Sequence, residues 1–237
     1  MSPKSQGSTR ASAVEVVDLT KKYGSGPEST LALRGVTFSV ASGEFVAISG
    51  PSGSGKSTLL NAIGALDRPS SGRIFLEGVD ISRLSSAELA RIRNEKIGFV
   101  FQDFNLISRM STVENVELPL SIRGVPPRER REKAMDLLER FGISDKARKS
   151  PRELSGGQRQ RVAVARALSS DPSIILADEP TGNLDSQNAT LTMDFLKRLN
   201  TDFGKTLLII THDPDVASLA ERTILMRDGA VERILEN

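Results

Sequence analysis

The run Gly50-Pro51-Ser52-Gly53-Ser54-Gly55-Lys56-Ser57-Thr58 has the spacing G-x-x-x-x-G-K-[ST], which combines backbone freedom, small hydroxyls and one lysine. Glycines let the chain curl until successive N–H groups converge on phosphate oxygens, and a helix opening at the end of the loop adds positive potential for an anion. Lys56 supplies charge to the β- and γ-phosphates, and Ser57 offers a hydroxyl to Mg²⁺, a hard cation that prefers oxygen. This pattern predicts nucleotide binding but does not separate GTPases, kinases, helicases and transporters. A second pair of chemical groups, Asp178-Glu179, follows the apolar run Ile174 to Ala177. In an open α/β sheet, ligands bind at such a C-terminal strand edge. Asp178 is expected to hold Mg²⁺ directly or through water. Glu179 is expected to polarise an attacking water, a general-base role that contributes roughly 10²–10⁴-fold to rate. Alone, the same two acids would read as a solvated turn; beside a phosphate loop they divide two jobs.

These groups need a scaffold. Val14 to Leu19, Val36 to Val40, Phe45 to Ser49 and Ile74 to Leu76 are short apolar or alternating runs bounded by Gly, Ser and Pro, so the N-terminal third is expected to be β-rich. The phosphate loop thus lies between the strand Phe45 to Ser49 and a helix from about Ser57 to Gly64. Another strand is expected at Ile97 to Phe101. From Asp103 to Glu153 the pattern turns helical, with Ala134, Met135, Leu137, Leu138 and Phe141 at three- and four-residue spacing. Ile174 to Ala177 and Leu207 to Ile210 read as strands buried on both faces, alternating with helices, as in a parallel, helix-covered sheet.

Composition narrows the class. A chain of 237 residues suits one α/β domain with a small lobe. With 38% hydrophobic residues it can fill a core, and the longest apolar runs fall far short of the ~20 residues of a bilayer crossing. Lys and Arg number 32 against 30 Asp and Glu, which gives no electrostatic support for nucleic-acid binding. No cysteine is present, which excludes disulfide and Cys-zinc frameworks and fits a reducing cytoplasm. Met1 to Ser12 has no apolar segment of the secretory kind and reads as a solvated, flexible tail.

Leu154-Ser155-Gly156-Gly157-Gln158, followed by Arg159 to Leu168, resembles the signature motif of ABC-type ATPases. Gln102 after Phe99-Val100-Phe101 is similar to that family's Q-loop, Asn183-Leu184-Asp185 to its D-loop, and His212 after Leu207 to Thr211 to its switch histidine. Tyr23 resembles the aromatic that stacks on adenine. Order and spacing agree over almost the whole chain. The Asp103 to Ile107 and Glu114 to Leu120 segments look most like the macrolide-export and lipoprotein-release branch.

The resemblance implies an ATPase with ATP and Mg²⁺ as ligands and a P-loop NTPase core. That core has a mixed, largely parallel sheet, an N-terminal antiparallel β-subdomain and a helical subdomain at about 103–157, within a domain spanning 13–237. It implies Glu179, His212, Lys56 and Gln102 as catalytic residues and Ser57, Gln102 and Asp178 around the metal. Nucleotide contacts would come from Tyr23, residues 50–58, Ser155, Gly156, Gly157, Gln158 and Asp185. Two copies would pair head to tail, so that Ser155 and Gly157 of one reach the γ-phosphate held by Lys56 of the other. The pair would power a separate permease from the inner face of the cell membrane, the surface around Phe104 to Ile107 receiving permease loops. Two rivals remain open: an ABC-type ATPase acting on DNA, disfavoured by the short interval from Lys56 to Glu153, and a cell-division regulator with a membrane partner.

Overall fold

The computed structural model describes residues 10–26 and 29–237; residues 1–9 of the expected tail lie outside them. Ser12 already pairs with Ala41. Two sheets organise the chain. The first contains β1 (Ser12–Tyr23), β2 (Thr30–Ala41), β4 (Ser71–Leu76) and β5 (Val79–Asp80), antiparallel in the order β2-β1-β4-β5. In β1, Val14, Val16 and Leu19 are buried and Glu15 is exposed, the alternation of a strand with one face on a core.

The second sheet has the order β10-β9-β3-β8-β7-β6. Its strands are β3 (Phe45–Ser49), β6 (Ile97–Phe101), β7 (Ile174–Asp178), β8 (Thr206–Ile210), β9 (Arg222–Arg227) and β10 (Ala230–Glu236). All neighbours are parallel except the β9–β10 pair. This is the mixed, largely parallel sheet that the resemblance implies. Strands β3, β7 and β8 are apolar apart from Ser49, Asp178 and Thr206 at their ends, because they are buried on both faces. Val46, Ile48, Leu176 and Leu208 point into the core shared with the first sheet and α1 (Lys56–Ile63). Phe45, Ala47, Ile175 and Ile209 point to the opposite face, into a cluster with Val162 and Leu196. Each fully buried aliphatic side chain contributes about 1.5–3 kcal/mol, so both faces are firmly covered.

Helix α2 (Ser86–Lys96) precedes β6, and the region after it is helical as expected: α3 (Thr112–Ile122) and α4 (Pro127–Arg140) pack on each other and on α5 (Gly156–Leu168). Glu117, almost wholly buried on α3, is paired with both Arg130 and Arg131 of α4. Asn115, fully buried, holds the loop before α3: its Nδ2 donates to the carbonyls of Ile107 and Met110, and its Oδ1 accepts from Ile107 N at 2.7 Å. The remaining α-helices among the described residues are α6 (Ser186–Thr201) and α7 (Pro214–Ser218). Among the described residues, no helix is long and apolar enough to cross a membrane.

Candidate nucleotide site

The carboxyl ends of β3, β8 and β7 lie side by side and carry, in that spatial order, the phosphate loop, His212 and Asp178-Glu179. Residues more than a hundred positions apart in sequence meet because the parallel register sets Asp178 opposite Ile210. The loop turns sharply at Gly50, whose φ is 147°; a Cβ there would lie 2.1 Å from the Met226 carbonyl oxygen, so only glycine fits. At Gly53, with φ 79°, a Cβ would meet nothing within 4 Å. That side of the loop is open, which leaves room for a phosphate.

Lys56 folds back over the loop, its Nζ donating to the carbonyls of Gly50 (2.8 Å) and Pro51 (2.9 Å). Ser57 Oγ donates to Asp178 Oδ1 at 3.4 Å, so a hydroxyl from α1 and a carboxylate from β7 converge. Among the described residues, no group of three or more His, Cys, Asp or Glu forms a metal cage. One carboxylate and one hydroxyl beside a phosphate cradle is nevertheless the donor set that suits Mg²⁺, which keeps waters and takes substrate phosphate oxygens as further ligands. Burial pushes the Asp178 carboxyl above its ordinary value and the Glu179 charge adds to this, while the Ser57 hydroxyl and the Lys56 charge oppose it. A cation at this position would restore the charged form.

Glu179 has a left-handed backbone, φ 45°, fixed by its N–H donating to Ile210 O and its carbonyl accepting from Gly182 N. A bulky residue held in this region stores strain, a common property of reactive positions. Its carboxylate, 17% exposed, lies 2.8 Å from Nδ1 of His212, which is 74% exposed. That hydrogen bond and the Glu179 charge raise the His212 pKa above 6.5. A raised folded-state value means that the pair's stabilisation is complete below about pH 6.5 and is lost as pH rises through the higher folded value. His212 is the sole histidine, so one imidazole resonance reports the titration. A midpoint above 6.5 is expected, falling in Glu179→Gln; a midpoint unmoved by that substitution would exclude the contact.

The other expected residues occupy three places. Gln102 packs on Gly182 and its Nε2 points at Asn183 Oδ1 (3.5 Å), while Asn183 Nδ2 donates to Gln102 O and to Asp103 Oδ1. Ser155 and Gln158 cap α5 reciprocally: Ser155 Oγ accepts from Gln158 N, and Ser155 N donates to Gln158 Oε1. Asp185 caps α6 by accepting from Asn188 N, and Asn188 in turn lies so close to Gly157 that a Cβ there would be 2.0 Å from Asn188 Oδ1. Gly156 lies against Asn183 and Leu184, so the starts of α5 and α6 form one packed unit. Tyr23, 43% exposed, ends β1 beside the loop, its hydroxyl donating to Asp67 Oδ2 at 2.7 Å.

A cleft of about 510 Å³ runs along the phosphate loop. It is lined by Gly53 and Gly55 to Thr58, by Thr30 to Ala32 and Arg34 of β2, and by the Asp228-Gly229 turn. Residues of β2 and that turn are not apparent as site residues in the sequence. Asp-Gly signals a turn, but its place against the loop, with Gly229 N donating to Ser54 O, is a tertiary fact. Ser155 to Gly157 do not line this cleft, and neither do Tyr23, Gln102, Asp178, Glu179 or His212.

Known proteins agree with this geometry. The ABC transporter family model matches residues 33–182. An uncharacterized ABC transporter ATP-binding protein of Thermotoga maritima is 49% identical over 93% of this chain and 94% of its own length. A macrolide export ATP-binding/permease protein of Vibrio parahaemolyticus is 48% identical over 92% of this chain, which spans only 33% of that larger protein. A solved dimer of the Methanocaldococcus jannaschii cassette MJ0796, bound to ADP and Pi in a post-hydrolysis state, superposes with a TM-score of 0.88 at 47% identity, covering 94% of this chain and 98% of that one. With the phosphate loop, the paired acids and the signature helix in one fold, the chain belongs to the ABC transporter family and is an ATP-hydrolysing, ATP-binding subunit of it.

Proposed function

We propose that two copies of this chain close head to tail around two ATP molecules and thereby drive a separate membrane permease of the export type. One observation supports the reading: Ser155 to Gly157 open α5, a helix separate from the phosphate-loop helix α1, as a second N-terminal anion site, in a chain 47% identical to a cassette solved as a dimer bound to ADP and Pi. A second phosphate site in the same chain then serves a second molecule, and a two-fold axis uses both patches twice.

Within each site Lys56 and the loop amides hold the β- and γ-phosphates. Ser57 and Asp178 would hold Mg²⁺, and Gln102, which packs against Gly182 and Asn183, would be a further oxygen donor to it. When bound, Mg²⁺ would offset the negative charge of the phosphates. Glu179 orients the attacking water and takes its proton. His212, fixed by Glu179, contacts the γ-phosphate, and Tyr23 stacks on adenine. Asp185, Gly156 and Gln158 shape the partner-facing edge.

The permease contact falls on a groove of about 350 Å³ beside the helical region, lined among others by Leu66, Phe99, Phe101, Asn105, Pro119 and Ile122. Ile122 is 69% exposed at its rim. Phe104 is itself buried under the Arg159 guanidinium, 5.2 Å from the ring centre, so Asn105 and the groove form the accessible part of the Phe104 to Ile107 surface. Ile122→Asp with Leu66→Asp is expected to abolish co-purification of the permease from detergent-solubilised membranes while ATPase activity stays within about twofold, since exposed substitutions cost little stability. Equal recovery of the membrane protein with both aspartates present would reject the groove.

A further inference from the structure

Tyr23 is tied down more tightly than an exposed aromatic at a strand end needs to be. Its hydroxyl donates to Asp67 Oδ2 at 2.7 Å, while the other Asp67 oxygen accepts from Lys21 Nζ at 2.5 Å. The same ammonium donates to Arg68 O at 2.7 Å and stands 4.8 Å from the centre of the Tyr23 ring. Lys21 therefore grips the ring through a cation–π contact and holds the carboxylate that anchors its hydroxyl. Asp67 is in turn fixed to the phosphate-loop helix, since the N–H groups of Leu66 and Asp67 both donate to Asn61 O within α1. Two more bonds lock the turn to β1: Ser70 N to Thr20 O, and Lys22 N to Ser70 Oγ.

We propose that Asp67 and Lys21 are positioning residues for nucleotide binding, setting the Tyr23 ring as a rigid platform for the base at a fixed offset from the phosphate loop. The inference rests on the stacking role given above to Tyr23. Preorganisation is the physical reason for such a brace: a ring already immobilised loses little freedom when a base covers it, so more of the stacking energy appears as affinity. The charge state of the brace agrees. Burial pushes the Asp67 carboxyl up, but the hydrogen bonds from Lys21 and Tyr23 and the Lys21 charge outweigh it and hold the group below its ordinary value. Burial and the Asp67 hydrogen bond push the Tyr23 phenol above 10.0, against an opposing Thr58 contact.

Tyr23 is the sole tyrosine and no tryptophan is present, so the near-ultraviolet phenolate absorbance reports this ring alone. In Asp67→Asn the phenol should titrate at lower pH than in the native chain. The KM for ATP should rise about five-fold, part of the 1–3 kcal/mol typical of base stacking. Turnover should stay within about twofold, and inhibition by tripolyphosphate, which has no base to stack, should be unchanged. Lys21→Gln should give the same changes in KM, turnover and tripolyphosphate inhibition without the fall in the phenol's titration, because it removes a cation rather than the carboxylate, and Asp67→Asn should add nothing in a Tyr23→Ala background. An unchanged KM in Asp67→Asn and Lys21→Gln, with a raised KM in Tyr23→Ala, sinks this inference alone. Weakened tripolyphosphate inhibition sinks it too, because the turn would then support the loop rather than the base. An unchanged KM in Tyr23→Ala removes the stacking reading, and this inference with it.

Discussion

Glu179→Gln is expected to reduce steady-state ATP hydrolysis by roughly 10²–10⁴-fold while leaving ATP affinity within a few-fold of native. The substitution keeps size and backbone demands. The left-handed conformation at φ 45° and the Ile210 and Gly182 hydrogen bonds require nothing of the carboxylate itself. What it removes is the negative charge that can take a proton from water and that favours the protonated form of His212, 2.8 Å away. Phosphate binding resides elsewhere, on Lys56, Ser57 and the loop amides, so binding and chemistry should separate cleanly. Equal loss of affinity and turnover would place Glu179 in binding instead, and undiminished turnover would remove it from the mechanism.

Lys56→Ala should act on the other half of that division and cost ATP affinity itself. The native ammonium already sits on the loop, bonded to the carbonyls of Gly50 and Pro51, so it needs little reorganisation to meet a phosphate. Losing a hydrogen-bonded charge of this kind costs about 3 kcal/mol, or roughly 100-fold in Kd for ATP by calorimetry. Fold stability should change little, because the deleted bonds lie at a partly exposed loop rather than in the core. An affinity within twofold of native would contradict the assigned cradle.

Much of this was legible in the sequence, for reasons that differ by element. The double-faced apolar runs Phe45–Ser49 and Thr206–Ile210 declare buried parallel strands, because a strand covered on both sides has no polar face to show. The phosphate loop is legible because each glycine, hydroxyl and lysine has its own physical requirement at fixed spacing. By contrast, α2 buries only Leu89 and shows almost no apolar stripe, and β10 is an edge strand whose last residues are exposed, so neither stands out from a polar background. The companions of the site were hidden for a different cause. Asp67, Asn188 and Gly229 act through tertiary contacts with Tyr23, Gly157 and Ser54, and no local pattern encodes those pairings.

In the proposed dimer, one chain's phosphate loop is completed by another chain's signature helix. Size-exclusion chromatography with light scattering tests it on Glu179→Gln, which should hold ATP without turning it over. Without nucleotide the protein should run as a monomer of 25.6 kDa; with Mg²⁺ and ATP its mass should double. Adding Ser155→Arg should return it to a monomer that still binds ATP. A Glu179→Gln chain that stays monomeric in saturating ATP, or a dimer indifferent to Ser155→Arg, would contradict the composite site.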